Sequence, residues 1–337
     1  MFSKLTKNSE VKNILVVSLT NIGDILVISP AMDILLNDFP KARMSVVVGP
    51  KGRSLFEENP NIERVYIYDK HADLKAKMTW LSNLRRQKFD AVVDFRNSFL
   101  PFLVHTRTRT APILFMPKGL HLVDKHLVRL KDIYEFSGKS QDRKAIVILP
   151  KDREYVDSLL TGHIRPGEKF VLIAPVAADS AKTWTPEGFA KVSDQLIEQY
   201  GFKVVMVGGA ENTAVMENIQ SQMKHRILAL AGRTNLVQVA EIVKRSFFSI
   251  VHDSGIMHIA SYFNKPALAL FGHTDPHLSG PWSEGSGYIW KNKQCPRCAD
   301  MENREKSHSC MSAITPEDVL QCIEVSGDRV KISTLEI

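Results

Sequence analysis

Short apolar runs rich in β-branched residues alternate with segments whose apolar residues recur every three or four positions, and the alternation runs through the chain twice. "ILVVSL" (Ile14–Leu19) reads as a buried strand. It turns through Thr20-Asn21-Ile22-Gly23-Asp24 into one helix, marked by Ile25, Ile28, Met32, Leu35, Leu36 and Phe39 and ending near Pro40. Strands follow at Met44–Val48 and Arg64–Asp69, a helix at Leu74–Gln87 and a strand at Phe89–Phe95. Strands joined through helices pair in parallel by right-handed crossovers, so the pattern predicts a doubly wound sheet.

The pattern restarts at "FVLIAP" (Phe170–Pro175). Thr185-Pro186-Glu187 then opens a helix, with a capping hydroxyl and a proline at the first helical position. Strands at Lys203–Gly209, Arg226–Leu230, Phe247–Val251 and Ala267–Phe271 alternate with helices from Thr213 and Leu236. The boundary falls between Pro150 and Gly167, where charged residues and "RPG" replace the apolar period. The expected organisation is one Rossmann-like domain over 1–160, a second over 161–314, and a C-terminal helix and tail over 315–337. Ligands of such sheets bind beyond the carboxyl ends of the strands, so chemistry is expected there, in a cleft between the two domains.

At 337 residues, two cores are the default. A hydrophobic share of 44% and a charged share of 24% are globular values. No apolar run approaches the ~20 residues of a membrane span, and "MFSKLTKNSEVKN" lacks a signal-peptide core, so a cytoplasmic protein is expected. The net charge of +7 is uneven: residues 1–168 hold 27 Lys/Arg against 19 Asp/Glu, and the remainder 17 against 18. A basic first half attracts nucleic acid, an anionic membrane or an anionic substrate, unless it is simply a solvated lysine-rich surface.

Four turns carry candidate chemistry. In "VHDSGIMHIA", Asp253-Ser254-Gly255 joins a strand end to a helix, where free backbone N–H groups and the helix dipole favour a phosphate. Gly255 permits close approach, Ser254 offers a hydroxyl, and His258 sits off the expected Ile256/Ile259/Ala260/Phe263 face. A capped helix with an ordinary surface histidine accounts for the same residues. Asp24 in "LTNIGDIL" stands just before a helix, either as its cap or as a carboxylate able to take a proton from a hydroxyl. Lys182 in "AKTWTPEGF" could neutralise a diphosphate, and Glu211 in "VGGAEN" could accept from ribose hydroxyls. There is no lysine-bearing phosphate loop and no G-x-G-x-x-G. Cys295-x2-Cys298-x11-Cys310, with Cys322 on a helix from Thr315-Pro316, is spaced loosely for zinc. Reduced structural thiols are the preferred reading, with no metal and no cofactor expected.

Together these stretches resemble glycosyltransferase family 9, the ADP-heptose:lipopolysaccharide heptosyltransferases. The resemblance covers nearly the whole chain, from "ILVVSLTNIGDILVISPAMDIL" through "APVAADSAKTW" and "VVMVGGAEN" to "DSGIMHIASYFNKPALALFGHTDP". It implies a GT-B fold and metal-independent, inverting transfer, with acceptor on the first domain and nucleotide-sugar on the second. Asp24 matches the family's catalytic base and Lys182 the lysine on the donor phosphates. Asp253, Ser254, Gly255 and His258 match the donor loop, Glu211 resembles the ribose-binding acid, and the backbone around Thr234 is implied to lie near adenine. Members often carry hydroxyls ahead of the lysine, where this chain has Ala177-Ala178, with Ser180 as the candidate substitute.

The resemblance also suggests a partner for the basic half: the anionic inner core of lipopolysaccharide at the cytoplasmic face of the inner membrane, with no nucleic acid involved. Arg96 in "DFRNSF" is the first candidate for an acceptor contact, followed by Lys51 and Arg53. A transferase of the same family with another sugar or acceptor, a nucleotide-sugar 2-epimerase and a silent binding module are the competing readings.

Overall fold

The computed structural model describes residues 4–18, 21–112, 118–138, 140, 142–291 and 310–337. Five parallel strands form the first sheet: β1 (Asn13–Val17), β2 (Arg43–Val48), β3 (Ile62–Ile67), β4 (Lys88–Asp94) and β5 (His105–Arg109). Their order is β3-β2-β1-β4-β5, so the chain winds outward to β3 and returns to the other side of β1. Val17 pairs with Asp94, and the Phe95 N–H donates to the Val17 carbonyl at 3.0 Å. That seam is the topological switch point. β1, β2 and β4 are almost wholly buried, as parallel strands covered on both faces must be. On one face Leu15, Val17, Val47, Phe89 and Val92 pack with Leu84 and Val104. Each such burial stabilises the fold by roughly 1.5–3 kcal/mol.

Two elements depart from expectation. The single helix expected after β1 is two, Ile22–Val27 and Ser29–Asp38, joined at Ile28. Pro30 lies in the first turn of the second helix, where its missing N–H is harmless, but it cannot continue the first one. β5, "HTRTR", carries no apolar run because it is an edge strand with only one neighbour.

The second sheet has seven parallel strands in the order β14-β11-β10-β9-β6-β7-β8. They are β6 (Phe170–Ile173), β7 (Lys203–Gly208), β8 (Leu228–Ala231), β9 (Phe248–His252), β10 (Ala267–Phe271), β11 (Gly287–Trp290) and β14 (Leu335–Glu336). Its switch point lies between β6 and β9, where the Ala174 N–H donates to the Ile250 carbonyl at 3.0 Å. Thr185 caps the helix Pro186–Tyr200 by accepting from the Gly188 N–H at 3.1 Å, and left-handed Gly201 ends it.

The chain divides into two compact units, Met1–Val147 and Ile148–Ile337. Residues 150–160, read from composition as part of the first domain, form the helix Pro150–Leu160 of the second unit. Gln238 donates to its Asp152 at 3.2 Å, and the Tyr155 hydroxyl donates to the Arg233 carbonyl at 2.9 Å. The C-terminal segment also folds into that unit. After the helix Pro316–Gln321 come the antiparallel strands β12 (Ile323–Ser326) and β13 (Arg329–Ile332), and β14 rejoins the sheet beside β11. Val319, Cys322 and Ile332 lie in the unit's main apolar core.

Candidate active site

In each unit the residues singled out from the sequence sit at the carboxyl ends of the strands, although they come from loops far apart in the chain. In the second unit Lys182 follows β6, Glu211 follows β7, Thr234 follows β8 and Asp253-Ser254-Gly255 follow β9. Across the switch point the Lys182 ammonium reaches Asp253 Oδ2 at 2.6 Å, and the Thr274 hydroxyl, beyond β10, donates to the same oxygen at 2.8 Å. Both members of the ion pair are only partly exposed.

The loop bearing Lys182 is held a second time. The next-but-one residue, Trp184, donates its backbone N–H to His252 Nε2 at 2.9 Å and its indole N–H to the Ile314 carbonyl at 2.9 Å. A Cβ on Gly188 would fall 2.4 Å from the Trp184 ring, so only glycine lets that ring pack against the helix start. Burial drives the His252 pKa down to about 3, opposed by the Ala174 carbonyl and the Asp253 charge, so the ring is neutral and accepts. His252 and Asp253, consecutive at one strand end, thus fix Trp184 and Lys182. Sequence reasoning passed over His252 because a histidine closing an apolar strand carries no periodic signal.

Ser254 is the N-cap of Gly255–Tyr262, yet its hydroxyl makes no capping bond and is buried without a hydrogen-bond partner among the described residues. The Thr234 hydroxyl is in the same condition two strands beyond β6. A buried hydroxyl left unsatisfied costs about 1–3 kcal/mol, which a ligand with matching groups recovers. Gly255 supplies the first helical N–H beside Ser254. His258 is not on an open face: it is buried and stacked on Trp282, with ring centroids 5.2 Å apart. The helix is buried from Met257 to Tyr262, which the expected Ile256-centred stripe did not foresee.

Glu211 is exposed in the turn Ala210–Asn212, with its carboxylate folded over Gly209, where a Cβ would lie 2.2 Å from Oε1. Gly232, at φ +68°, approaches Ala210 so closely that a Cβ would fall 2.7 Å from that of Ala210. The turns carrying Glu211 and Thr234 are thereby pressed together.

In the first unit Lys51 follows β2, Asp24 follows β1 and Arg96 follows β4, so the strand order puts the carboxylate between two cations along one sheet edge. Asp24 is not the cap of its helix. Asn21 occupies the cap, and Asp24 lies in the first turn, where the helix dipole favours its charge. The turn Pro50–Gly52 packs on that helix, since a Cβ on Gly52 would lie 2.2 Å from Ile25 Cδ1. Arg53 is paired with Glu57 through contacts of 2.8 and 2.5 Å, which hold the Glu57 pKa down, and Lys51 is exposed.

Arg96 lies over the Tyr68 ring at 5.0 Å. Its loop is shaped by Asp94, a fully buried carboxylate that sequence reasoning missed. Asp94 Oδ1 accepts from the Arg96 N–H at 2.8 Å, and Oδ2 from the Ser98 N–H at 2.6 Å and hydroxyl at 2.8 Å. Desolvation raises the Asp94 pKa against those bonds and the Arg129 charge. The legible signal was the spacing Asp94-x-x-x-Ser98 after a strand, an Asp-initiated turn.

Cys310 and Cys322 are buried, and burial pushes the Cys322 pKa up. Cys295 and Cys298 lie outside the described residues. Among the described residues no three His, Cys, Asp or Glu side chains are grouped to hold a metal, and no helix is long and apolar enough to cross a membrane.

Two wound parallel sheets, each with its candidate side chains on the carboxyl edge, make a GT-B fold. The profile of glycosyltransferase family 9 (heptosyltransferase) matches residues 114–308, and the chain belongs to that family; it is an enzyme. The chain is 26% identical to lipopolysaccharide heptosyltransferase 3 of Escherichia coli K12, over 90% of this chain and 94% of that one. It is 24% identical to lipooligosaccharide heptosyltransferase 2 of Campylobacter jejuni, over 90% and 94%. Among solved structures, a family 9 glycosyl transferase from Veillonella parvula aligns with a TM-score of 0.79 at 22% identity, over 95% of this chain and 97% of that one. Escherichia coli heptosyltransferase WaaC with ADP aligns at 0.70 and 16% identity, over 92% and 98%.

Proposed function

We propose that the enzyme transfers heptose with inversion from ADP-heptose to a Kdo or heptose hydroxyl of the lipopolysaccharide inner core. One observation carries the donor side. Along the second sheet the order β9-β6-β7-β8 presents Ser254 and Asp253, then Lys182, then Glu211, then Thr234. That is the order in which diphosphate, ribose and base succeed one another in a nucleoside diphosphate, over three strand spacings of about 4.8 Å each. Lys182, the Ser254 hydroxyl and the helix start at Gly255 receive the diphosphate. Glu211 accepts from the ribose, and the turn around Thr234 lies against the base.

Asp24 takes the proton of the acceptor hydroxyl as its oxygen attacks the anomeric carbon from the face opposite the diphosphate. The bond to the diphosphate breaks, and its electron pair leaves on the phosphate oxygen. Lys182 and the helix N-terminus stabilise that charge in place of a metal ion. Arg96 and Lys51, on either side of Asp24, face the carboxylates and phosphates of the acceptor, with Arg53 as a third cation. His258 acts from within the fold, supporting the donor helix through Trp282. The acceptor is a lipid, so the enzyme meets the cytoplasmic face of the inner membrane transiently.

A second reading, another nucleotide sugar on the same site, is favoured by Ala177. Its N–H donates at 3.3 Å to Thr183 Oγ1, which itself donates to the Asp179 carbonyl at 3.4 Å. The hydroxyl at this loop therefore serves the loop itself. Thermal shift with ADP and UDP, followed by transfer from ADP-heptose to a lipid-free inner-core acceptor, separates the readings. ADP should stabilise the protein and transfer should follow. Stabilisation by UDP alone would overturn the assignment.

A further inference from the structure

We infer that the outer layer formed by the helices Leu74–Arg85 and Leu100–Leu103 of the first unit is the surface that docks on an anionic lipid bilayer. This deepens the membrane contact proposed above and rests on that reading. The two helices cover the same face of the sheet, because Leu84 and Trp80 of one and Leu100 of the other pack into a single apolar cluster with Val104. Their outward surface, with Phe99 just ahead of the second helix, mixes large apolar side chains with exposed Lys75, Thr79, Ser82, Asn83 and Arg85. Phe99 is 77% exposed, Leu74 74%, Met78 65%, and Phe102 and Leu103 44% each, and these are five of the eight large apolar side chains exposed among the described residues. Leu74 and Met78 are one turn apart on one helix. Single exposed apolar residues need no explanation, but a group on one layer does.

The charge around them is one-sided. Residues 70–109 hold nine Lys/Arg against three Asp/Glu, almost the whole net charge of the chain. All three carboxylates are occupied by backbone N–H groups: Asp73 caps its helix at Ala76, Asp90 accepts from Lys12 and Asn13, and Asp94 accepts from Arg96 and Ser98. Lys75, Arg85, Arg86, Lys88 and Arg107 are exposed. The Arg109 guanidinium lies over the Phe102 ring at 5.2 Å, an arrangement that lets ring and cation enter an interface together. Aromatic and aliphatic tips on a segment with this excess of cations match the acyl boundary and the anionic headgroups above it. Leu74, Met78 and Leu103 add nothing to base stacking, which disfavours nucleic acid as the occupant.

The test is co-sedimentation of the intact protein with vesicles of phosphatidylcholine alone or mixed with phosphatidylglycerol. The wild type should bind the mixed vesicles and should bind them less in high salt. The combined variant Phe99→Ser, Phe102→Ser, Leu103→Ser should lose about tenfold or more in partitioning, as the lost apolar area requires. Its melting temperature and its transfer to a lipid-free acceptor should be unchanged. Lys75→Glu with Arg107→Glu should remove the preference for phosphatidylglycerol. If the wild type binds and both variants bind equally well, the membrane reading stands and this surface is wrong. A wild type that ignores mixed vesicles overturns both. A dimer in solution that the serine variant splits would make the layer a self-interface and overturn the inference.

Discussion

The two sheet edges that carry the site residues are built differently. On the second unit the groups are held in advance: Lys182 is paired to Asp253, Asp253 also accepts from Thr274, and Trp184 hangs from His252. Two buried hydroxyls, Ser254 and Thr234, have no hydrogen-bond partner among the described residues. On the first unit half-buried Arg96 rests on the half-buried Tyr68 ring, while Arg53 pairs with an exposed carboxylate and Lys51 lies in water. Rigid, partly desolvated groups suit one small ligand of fixed shape, and exposed cations suit a larger polyanion read mostly by charge.

The largest effect that can break this contrast is at Asp24. Asp24→Asn should lower turnover by roughly 10²–10⁴-fold while leaving ADP affinity intact, because it removes an acid–base group and nothing from the donor edge. Since Asp24 lies in the first helical turn and is not the cap, the same change should cost no more than about 1 kcal/mol of stability. A fully active asparagine variant sinks the mechanism.

At the donor edge, Lys182→Gln should weaken ADP binding by about 1.5–3 kcal/mol, the range for a charge-assisted bond, measured by calorimetry. Arg96→Ala should instead raise the acceptor KM with ADP affinity unchanged. If Arg96→Ala weakens ADP as much as Lys182→Gln does, the two edges do not divide the work as proposed.

A smaller effect concerns acid stability. In each unit burial lowers the pKa of a histidine: His252 down to about 3 and His126 down to about 4, the latter helped by Lys125 and Arg129. In the unfolded chain both titrate near 6.5, so the unfolded state binds more protons below that pH. Stability is therefore full above pH 6.5 and declines as pH falls toward 4 for His126 and 3 for His252. Asp94, whose pKa is raised, works in the opposite direction at the acid end. His252→Gln should flatten the decline in melting temperature between pH 6.5 and 4 and, if His252 positions Lys182, should also raise the donor KM with little change in kcat. An unchanged pH profile would show that the folded His252 ring takes up a proton as readily as in the unfolded chain. The smallest expected effect is none: transfer should survive EDTA, and loss of activity restored by a divalent ion would break the assignment of leaving-group stabilisation to Lys182 and the helix start.

Much of this was open to reading in one dimension. Alternating apolar runs placed both wound sheets, because a buried parallel strand must be apolar on both faces, and the turns at Asp24, Lys182, Glu211 and Asp253 were legible as strand ends. Tertiary structure alone decided what those residues touch. Lys182 and Asp253 are 71 positions apart, His258 meets a tryptophan 24 positions further on, and Phe95 joins Val17 across the seam between the strands that precede Arg96 and Asp24. Periodicity reports which face of its own element a residue occupies. It carries nothing about which other element is laid against that face, and so it showed His258 off the packed face, left Asp24 open between cap and carboxylate, and did not show Asp94 at all.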